Sequence, residues 1–274
     1  MRDYGGSESQ VAAHGARRRP HVGQRTEFVG VRQDASVGET AELLRRKMVD
    51  DLRHSGVIVS DAVYEAMRQI PRHLFLPGID VVNAYADHAV MVKYSEEGTP
   101  LSSASQPTIV ASMLEHLAVR SGDTILEIGT GTGYNAALLG HLAGTNGRVV
   151  TVEIEPDLAA RAADCLKRLD FASITVVLGD GRLGYRPLAP FRRVIVTSGA
   201  QTVAPVWSAQ LVEGGRLVVP VVDEDGVGTV VTSEKRDGEM VVLARIPCGF
   251  LPMRDSPQSP AAGFGVEGPQ ERDT

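Results

Sequence analysis

The chain has 274 residues, with 28 Lys and Arg against 34 Asp and Glu, which gives a formal net charge of −6. This mildly acidic balance is not the basic footprint of a nucleic-acid-binding protein, and no apolar run approaches the roughly 20 residues that a membrane-spanning helix needs. Two cysteines are too few for a disulfide framework. We therefore expect a cytoplasmic protein with neither nucleic acid nor a membrane as partner, and we expect it to be a monomer.

The amino-terminal part of the chain is predicted to contain two helices after a disordered arm. Residues 1–38 are polar and rich in Gly, without a sustained apolar period, which is typical of disorder. From Thr40 the apolar residues follow a helical period. A second helix is predicted to begin at the cap formed by Ser60 and Asp61 and to stop at Pro71.

The next segment, 85–105, is predicted to be rich in loops. It contains a strand candidate over 89–92 and a polar insert over 93–98. The apolar stripe from Ile109 to Leu117 then predicts a helix.

After this helix the chain alternates between apolar strands and helices. The predicted strands cover residues 124–128, 148–152, 174–178, 193–197 and 216–222. The predicted helices cover 135–142 and 156–169, and a further helix contains Trp207 and Leu211. Because the strands are continuous apolar runs, they indicate burial on both faces, as in a parallel sheet. This order predicts a doubly wound α/β domain. The Asp237–Gly238 turn between the β-rich runs 228–233 and 240–246 predicts a hairpin at its end.

Three glycines at alternate positions, Gly129, Gly131 and Gly133, follow the strand over 124–128 and precede a helix. Glycine lets the backbone turn sharply and approach a ligand closely. A dinucleotide site has the pattern G-x-G-x-x-G, but the position of its third Gly is occupied here by Tyr134. The loop therefore does not match a diphosphate site.

Three acidic residues mark the ends of three successive predicted strands. Glu127, just before the glycines, suits a ligand with a cationic amino-acid end, such as S-adenosylmethionine. Glu153 ends the second strand, where a carboxylate accepts hydrogen bonds from ribose hydroxyls, and Asp180 follows the third, where it suits an adenine amino group. The alternative is that these acids only cap turns and helices.

Several longer motifs make the chain recognisable as a relative of a known family. They cover residues 67–77 (MRQIPRHLFLP), 84–87 (AYAD), 105–107 (SQP), 127–136 (EIGTGTGYNA), 179–181 (GDG) and 211–220 (LVEGGRLVVP). In these motifs the chain resembles the protein-L-isoaspartate O-methyltransferase family. The resemblance implies a Rossmann-like class I methyltransferase fold with a mostly parallel seven-stranded sheet, amino-terminal helices and a carboxyl-terminal hairpin. It also implies methyl transfer from S-adenosyl-L-methionine to an aspartyl or isoaspartyl carboxylate of a peptide or protein, with S-adenosyl-L-homocysteine as product and succinimide formation to follow.

The resemblance also assigns site residues. It makes Ser105 the catalytic residue and places Asp87 beside it near the substrate. The expected donor-binding residues are Glu127, Gly129, Thr130, Gly131, Gly133, Tyr134, Asn135, Glu153, Ile154, Gly179, Asp180, Gly181 and Thr197. The expected substrate-binding residues are Ser103, Ala104, Gln106, Ser198 and Gly199. We expect no metal. Judged without the family, Ser105 also fits a cap for the helix that begins near Pro107.

The sequence departs from the family pattern where the family meets its peptide substrate. The departures are the insert over 93–98, Ala104 before Ser105, the pair Arg192–Arg193 and residues 198–199. They leave open a dedicated tailoring enzyme that methylates a normal Asp in one ribosomally made peptide to give aspartimide or isoaspartate. In that interpretation Arg192 and Arg193 lie near the substrate. A non-catalytic protein that binds S-adenosylmethionine or NAD is the remaining alternative.

We interpret residues 39–254 as one methyltransferase domain between two disordered ends, 1–38 and 255–274. Within it, we expect a helical, substrate-side segment over 39–107, a donor-binding core over 108–222 and a hairpin over 223–254.

Overall fold

A computed structural model describes residues 35–254, so most of the predicted arm and the whole predicted tail lie outside the described residues. The amino-terminal layer contains α1 (Ala35–His54), α2 (Asp61–Gln69) and α3 (Val81–Tyr85), with a 3-10 turn at Arg72–Phe75. Helix α1 begins at Ala35, before Thr40, and Val37 in its first turn is exposed, so the apolar period does not mark this turn. The Ser60 cap is confirmed, since its side chain accepts a hydrogen bond from the Val63 amide.

A two-stranded antiparallel sheet follows, formed by β1 (Val90–Tyr94) and β2 (Pro100–Ala104). We call residues 90–104 the front hairpin. The prediction of a loop over this segment was wrong for β2, and the insert over 93–98 is partly strand. The Ser-rich β2 has weak strand propensity of its own, and its pairing with β1 decides its conformation.

The central sheet has seven strands in the order β5-β4-β3-β6-β7-β8-β9. Strands β3 to β7 are parallel and β8 and β9 are antiparallel, so the predicted doubly wound fold with its terminal hairpin is confirmed. The strands are β3 (Thr124–Ile128), β4 (Arg148–Glu153), β5 (Ile174–Leu178), β6 (Phe191–Val196), β7 (Leu211–Val222), β8 (Val227–Arg236) and β9 (Glu239–Gly249). The helices beside them are α4 (Pro107–Leu117), α5 (Tyr134–Ala143), α6 (Pro156–Arg168) and α7 (Pro205–Ala209).

One predicted boundary near α7 was wrong. The helix ends at Ala209, and Leu211 is the first residue of β7 rather than a helical residue. Leu211 pairs with Phe191 of β6 ahead of a shift in register, and Gly214 and Gly215 interrupt the apolar run between this pair and the rest of the strand. The strand therefore begins earlier than its apolar run.

The order of the strands creates a crevice beside β3. The chain moves from β3 to β4 and β5 on one side and then crosses to β6 and β7 on the other. In open α/β sheets, ligands bind outside the carboxyl ends of the strands at this change of direction. Within residues 35–254, no helix is both long and apolar enough to cross a membrane.

Candidate active site

A cavity of about 590 Å³ opens at the carboxyl ends of β3, β4 and β6. Its wall is formed by the front hairpin, the Gly-rich loop, the ends of the strands and the segment 247–254, which contains the end of β9 and the residues after it. The predicted site residues that line it are Ser103, Ala104, Ser105, Gln106, Gly129, Thr130, Gly131, Tyr134, Asn135, Glu153, Ile154, Asp180, Gly181, Thr197 and Ser198. The predicted residues outside this wall are Asp87, Glu127, Gly133, Gly179 and Gly199.

The Gly-rich loop needs glycine for two separate reasons. Gly129, Gly131 and Gly133 have φ values of +99°, +52° and +87°, in the region that L side chains rarely adopt. A Cβ on Gly129 would also lie 2.6 Å from Thr197 Oγ1, whereas a Cβ on Gly131 would meet only Ser102 Oγ at 3.8 Å and the Ser103 carbonyl oxygen at 4.0 Å. Strand β2 therefore faces the Gly-rich loop across a narrow gap.

Glu127 lies behind the cavity wall. Its side chain is fully buried, and Oε1 accepts a hydrogen bond from Asn135 Nδ2 at 2.7 Å. Burial raises the pKa of Glu127 to about 7, although hydrogen bonds from Thr151 and Asn135 act in the opposite direction. Asn135 itself lines the cavity, so Glu127 is placed to orient that amide.

Glu153 ends β4 and lines the cavity. Its carboxylate accepts hydrogen bonds from the backbone amides of Gly131 at 2.8 Å, Ile154 at 3.0 Å and Glu155 at 3.1 Å. Burial raises the pKa of Glu153, and these bonds only partly offset the effect. A carboxylate has about four lone-pair sites, so acceptor capacity is left for a ligand hydroxyl.

Asp180 also lines the cavity, but its carboxylate is engaged with Arg182. It accepts from the Arg182 amide at 2.9 Å and pairs with the guanidinium at 2.7 Å, and this pairing lowers the pKa of Asp180. Gly181 beside it packs against β3, since a Cβ there would lie 2.2 Å from Ile128 Cγ2. Its carbonyl accepts from the indole of the buried Trp207 at 2.9 Å.

Ser105 follows β2 and lines the cavity, and it does not cap α4. The residue at the cap position is Gln106, whose side chain makes no capping bond, so the capping alternative was wrong. The Ser105 hydroxyl has no hydrogen-bond partner within residues 35–254, and it is free to meet a ligand.

Asp87, and not Ser105, accepts a hydrogen bond from a backbone amide in the first turn of α4. Its Oδ1 accepts from the Thr108 amide at 2.9 Å in the first turn of α4, and Oδ2 accepts from Thr108 Oγ1 at 2.6 Å and Gln106 Nε2 at 3.1 Å. Burial would raise the pKa of Asp87, but these hydrogen bonds outweigh it and the pKa is lowered. Asp87 thus fixes the turn that carries Ser105 from outside the cavity wall.

Arg72 lines the cavity and was not among the predicted site residues, although it lies in the quoted motif over 67–77. Its guanidinium is almost fully buried and donates to the carbonyl oxygens of Ala84 at 2.9 Å, Ala104 at 3.4 Å and Ser105 at 3.0 Å. It also lies 5.2 Å from the centroid of the Tyr134 ring. Arg72 therefore joins the Ser105 turn to the helix that follows the Gly-rich loop.

The segment 247–254 was likewise not predicted to form part of the site. It is held to β6 through Gly199, whose amide donates to the Leu251 carbonyl at 2.8 Å and whose carbonyl accepts from the Met253 amide at 2.6 Å. Ser198 Oγ donates to the Leu251 carbonyl at 3.3 Å. No local pattern in the sequence predicts these contacts, because they join residues about 50 positions apart.

The predicted location of Arg192 and Arg193 near the substrate was wrong. Arg193 pairs in register with Ile125 near the amino ends of β6 and β3, at the edge of the sheet opposite the cavity. Its guanidinium lies 3.2 Å from Asp123 and donates to the Ala118 carbonyl at 3.1 Å. The pair lies at the amino end of β6, and the amino end of a parallel strand faces away from the carboxyl-end crevice.

A doubly wound sheet with a Gly-rich turn after its first parallel strand and a buried acid at the end of the next defines the class I methyltransferase fold. A sequence model described as protein-L-isoaspartate(D-aspartate) O-methyltransferase matches residues 43–258. The chain belongs to this family.

Individual relatives agree with this assignment. The chain is 37% identical over 209 residues to a protein-L-isoaspartate O-methyltransferase of Ignicoccus hospitalis, a match that covers 76% of this chain and 96% of the relative. It is 41% identical to one of Methanoculleus marisnigri, with 76% and 90% covered. A solved protein-L-isoaspartate O-methyltransferase structure is similar with a TM-score of 0.71 and 31% identity, and the match covers 77% of this chain and 66% of the solved one, just under two thirds of it.

Proposed function

We propose that this chain transfers the methyl group of S-adenosyl-L-methionine to the free carboxylate of an isoaspartyl residue in a protein or peptide, which is the α-carboxylate because the side-chain carboxyl is part of the backbone. The observation that carries the proposal is one shared cavity. Its wall contains the Gly-rich loop and Glu153 on one side and Ser105 on the other, with Ser102 facing Gly131 between them. The family to which the chain belongs supports both the donor and the acceptor.

The donor side of the cavity fits S-adenosyl-L-methionine. Glu153 is a buried carboxylate with acceptor capacity for ribose hydroxyls, and Asp180 lies at the end of the next strand on the adenine side. The loop from Gly129 to Asn135 is assigned to the amino-acid end of the donor, with Glu127 behind it. When bound, this group supplies an electrophilic methyl on a sulfonium sulfur, and S-adenosyl-L-homocysteine remains after transfer.

The acceptor side of the cavity has to position a carboxylate rather than activate it. A carboxyl group with a pKa near 4 is already ionised at neutral pH, so no general base is required. A carboxylate oxygen forms the new bond to the methyl carbon, the bond from carbon to sulfur breaks, and its electron pair stays on sulfur. We assign to the Ser105 hydroxyl a hydrogen bond that orients the carboxylate in line with the methyl group.

The other predicted residues have supporting roles in this proposal. The part of the wall around the bound peptide is formed by Ser103, Ala104, Gln106 and Ser198. Gly199 holds the segment 247–254 in place through its backbone hydrogen bonds. Asp87 holds Gln106 and Thr108, and so acts as a positioning residue for Ser105. The resulting methyl ester is open to attack by the following backbone nitrogen, which releases methanol and leaves a succinimide.

We also propose that the chain is a monomer located in the cytoplasm and that it has no nucleic acid or membrane partner. The free thiols of Cys165 and Cys248 are consistent with a reducing compartment. The alternative of an enzyme dedicated to a normal Asp in one peptide is not favoured, because relatives named for isoaspartate match most of the chain.

Two measurements test the proposal. Calorimetry with S-adenosyl-L-homocysteine and with NADH tests the donor, and we expect binding of the first alone. Methyl-labelled donor is then offered with two peptides that differ only in carrying isoaspartate or aspartate at one position. Label in the isoaspartyl peptide across several unrelated sequences supports the proposal, whereas label only in the aspartyl peptide, or in neither, contradicts it.

A further inference from the structure

Glu155 is a fully buried carboxylate shared by two cations from distant parts of the chain. It stands at the cap position of α6, two residues after Glu153. Its Oε2 lies 2.6 Å from Lys93 Nζ, and its Oε1 pairs with the guanidinium of Arg254. Lys93 also pairs with Asp157 in the first turn of α6. We call Lys93, Glu155, Asp157 and Arg254 the ionic junction.

The ionic junction lies where three walls of the cavity meet. Lys93 belongs to β1 of the front hairpin, and Arg254 ends the wall segment 247–254. Arg254 also donates to the carbonyl of Leu101 in β2 at 3.3 Å. The third wall is the turn of Glu153 and Ile154, which leads directly into Glu155.

The burial of these charges sets them apart from ordinary surface pairs. The side chains of Glu155, Arg254 and Lys93 are 0%, 8% and 17% exposed, whereas those of the surface pair Lys47 and Asp51 on α1 are 69% and 64% exposed. Removing charges from water is costly, so a buried cluster holds a particular geometry more than it adds stability. Asp157 is 43% exposed and also pairs with Arg161, so the buried part of the ionic junction is Glu155 with its two cations, Lys93 and Arg254.

A direct contact connects the ionic junction to the donor side. The Glu155 amide donates to Glu153 Oε1 at 3.1 Å, so the carboxylate assigned to the ribose and the carboxylate that holds the front hairpin share one turn. The front hairpin in turn carries Ser102 and Ser103 opposite Gly131 and leads into Ser105. Glu155 therefore joins the Glu153 turn to the substrate-side wall through direct contacts.

We propose that Glu155 is a positioning residue that couples donor binding to peptide binding, by tying the front hairpin and the segment 247–254 to the donor-binding turn. This inference rests on the proposed function. Coupling between two ligands is reciprocal, so the donor product must tighten peptide binding by the same factor by which the peptide tightens donor binding.

The test measures that factor in three variants. Lys93→Met and Arg254→Met each remove one cation from the ionic junction, and Lys47→Met removes a cation from the exposed pair on α1 as the matched control. The dissociation constant of an isoaspartyl peptide is measured with and without saturating S-adenosyl-L-homocysteine. Amide exchange over residues 90–104 is followed in the same samples, and thermal melting verifies that every variant is folded.

We expect the wild type and Lys47→Met to show a coupling factor of at least about 5, the lower end of typical allosteric coupling. In Lys93→Met and Arg254→Met the factor should fall below about 2, and donor binding should no longer slow amide exchange over residues 90–104. Lys93 lies outside the cavity wall, so Lys93→Met should largely keep its affinity for S-adenosyl-L-homocysteine alone. Wild-type coupling in both folded variants would overturn the inference and leave the proposed function standing. A wild type that does not bind S-adenosyl-L-homocysteine would overturn both.

Discussion

The guanidinium of Arg72 donates a hydrogen bond to the backbone carbonyl oxygen of Ser105 at 3.0 Å while it lies over the ring of Tyr134. The two contacts join the residue assigned to the acceptor carboxylate with the helix that follows the donor loop. Because Arg72 is almost fully buried, water does not compete for these bonds.

Arg72→Lys is expected to lower kcat by about 10- to 100-fold, since a misplacement of about 1 Å at a reacting centre costs about that much. Lysine keeps the charge but lacks the planar fork that reaches the carbonyls of Ala84, Ala104 and Ser105 together. Steady-state kinetics with an isoaspartyl peptide measures the effect, and the affinity for S-adenosyl-L-homocysteine should change little. The control is Arg46→Lys on the exposed face of α1, and equal losses in the two variants would refute the assignment.

Ser105→Ala is expected to reduce methyl transfer at saturating donor by about 10- to 100-fold, the range in which the loss of one orienting group falls. The α4 cap should survive, because Asp87 and not Ser105 bonds to the Thr108 amide. Thermal melting should therefore be unchanged. Ser208→Ala, which removes an exposed hydroxyl outside the cavity wall, is the control. Unchanged methyl transfer in Ser105→Ala would remove the orienting role.

Gly129→Ala is expected to weaken donor binding by at least about 10-fold, which corresponds to about 1.4 kcal/mol. The new methyl group would lie 2.6 Å from Thr197 Oγ1 and would force the loop and β6 apart. Gly122→Ala is matched for backbone conformation, since Gly122 has a φ of +83° but nothing within 4 Å of a Cβ. Calorimetry measures the affinity of both variants for S-adenosyl-L-homocysteine. Because both glycines have a positive φ, weaker binding by Gly129→Ala alone would come from its contact with Thr197. Equal affinities would show that the contact is unimportant.

Glu127→Gln is expected to stabilise the chain above neutral pH. Burial raises the pKa of Glu127 from 4.5 to about 7, so between these values the folded chain binds more protons than the unfolded chain. The free energy of unfolding contributed by Glu127 is therefore greatest below pH 4.5 and is lost as the pH rises through about 7. The difference in free energy of unfolding between Glu127→Gln and the wild type should therefore shift in favour of the variant as the pH rises. The shift should reach up to about 3 kcal/mol between about pH 4 and about pH 8, since one pKa unit is worth about 1.4 kcal/mol.

Denaturant unfolding across this pH range measures the gain in Glu127→Gln. The control is Glu42→Gln, because Glu42 lies exposed on α1, where it pairs with Arg46 in the next turn. A stability difference that does not grow with pH would contradict a raised pKa at Glu127.

The parts of the fold that were predictable from the sequence are those with a strong local signal. Strands β3 and β4 are rich in apolar residues, and the alternate glycines after β3 indicate a sharp turn of the backbone. Strand β2 was missed because Ser102 and Ser103 have no strand preference until β1 pairs with them. The local patterns therefore sufficed for the sheet but not for the hairpin in front of it.

In the candidate active site, too, residues with a local sequence signal were predictable and residues that act through long-range contacts were not. Glu153 was predictable because a carboxylate at the end of a buried strand is conspicuous, and it does line the cavity. Asp87 was assigned to chemistry and Ser105 was considered as a cap, whereas the structure gives the capping bonds to Asp87. Arg72 and Arg254 act through carbonyls and carboxylates between about 12 and 150 positions away, and only the fold brings these groups together.

The most direct test of the central claim follows one isoaspartyl peptide through the whole reaction. The peptide is incubated with the chain and methyl-labelled S-adenosyl-L-methionine, and labelled ester, labelled methanol and succinimide are measured over time. We expect ester to appear first and methanol and succinimide then to rise together, while the matching aspartyl peptide stays unlabelled. Label in the aspartyl peptide alone, or no label in the isoaspartyl peptide while S-adenosyl-L-homocysteine binds, would contradict the central claim.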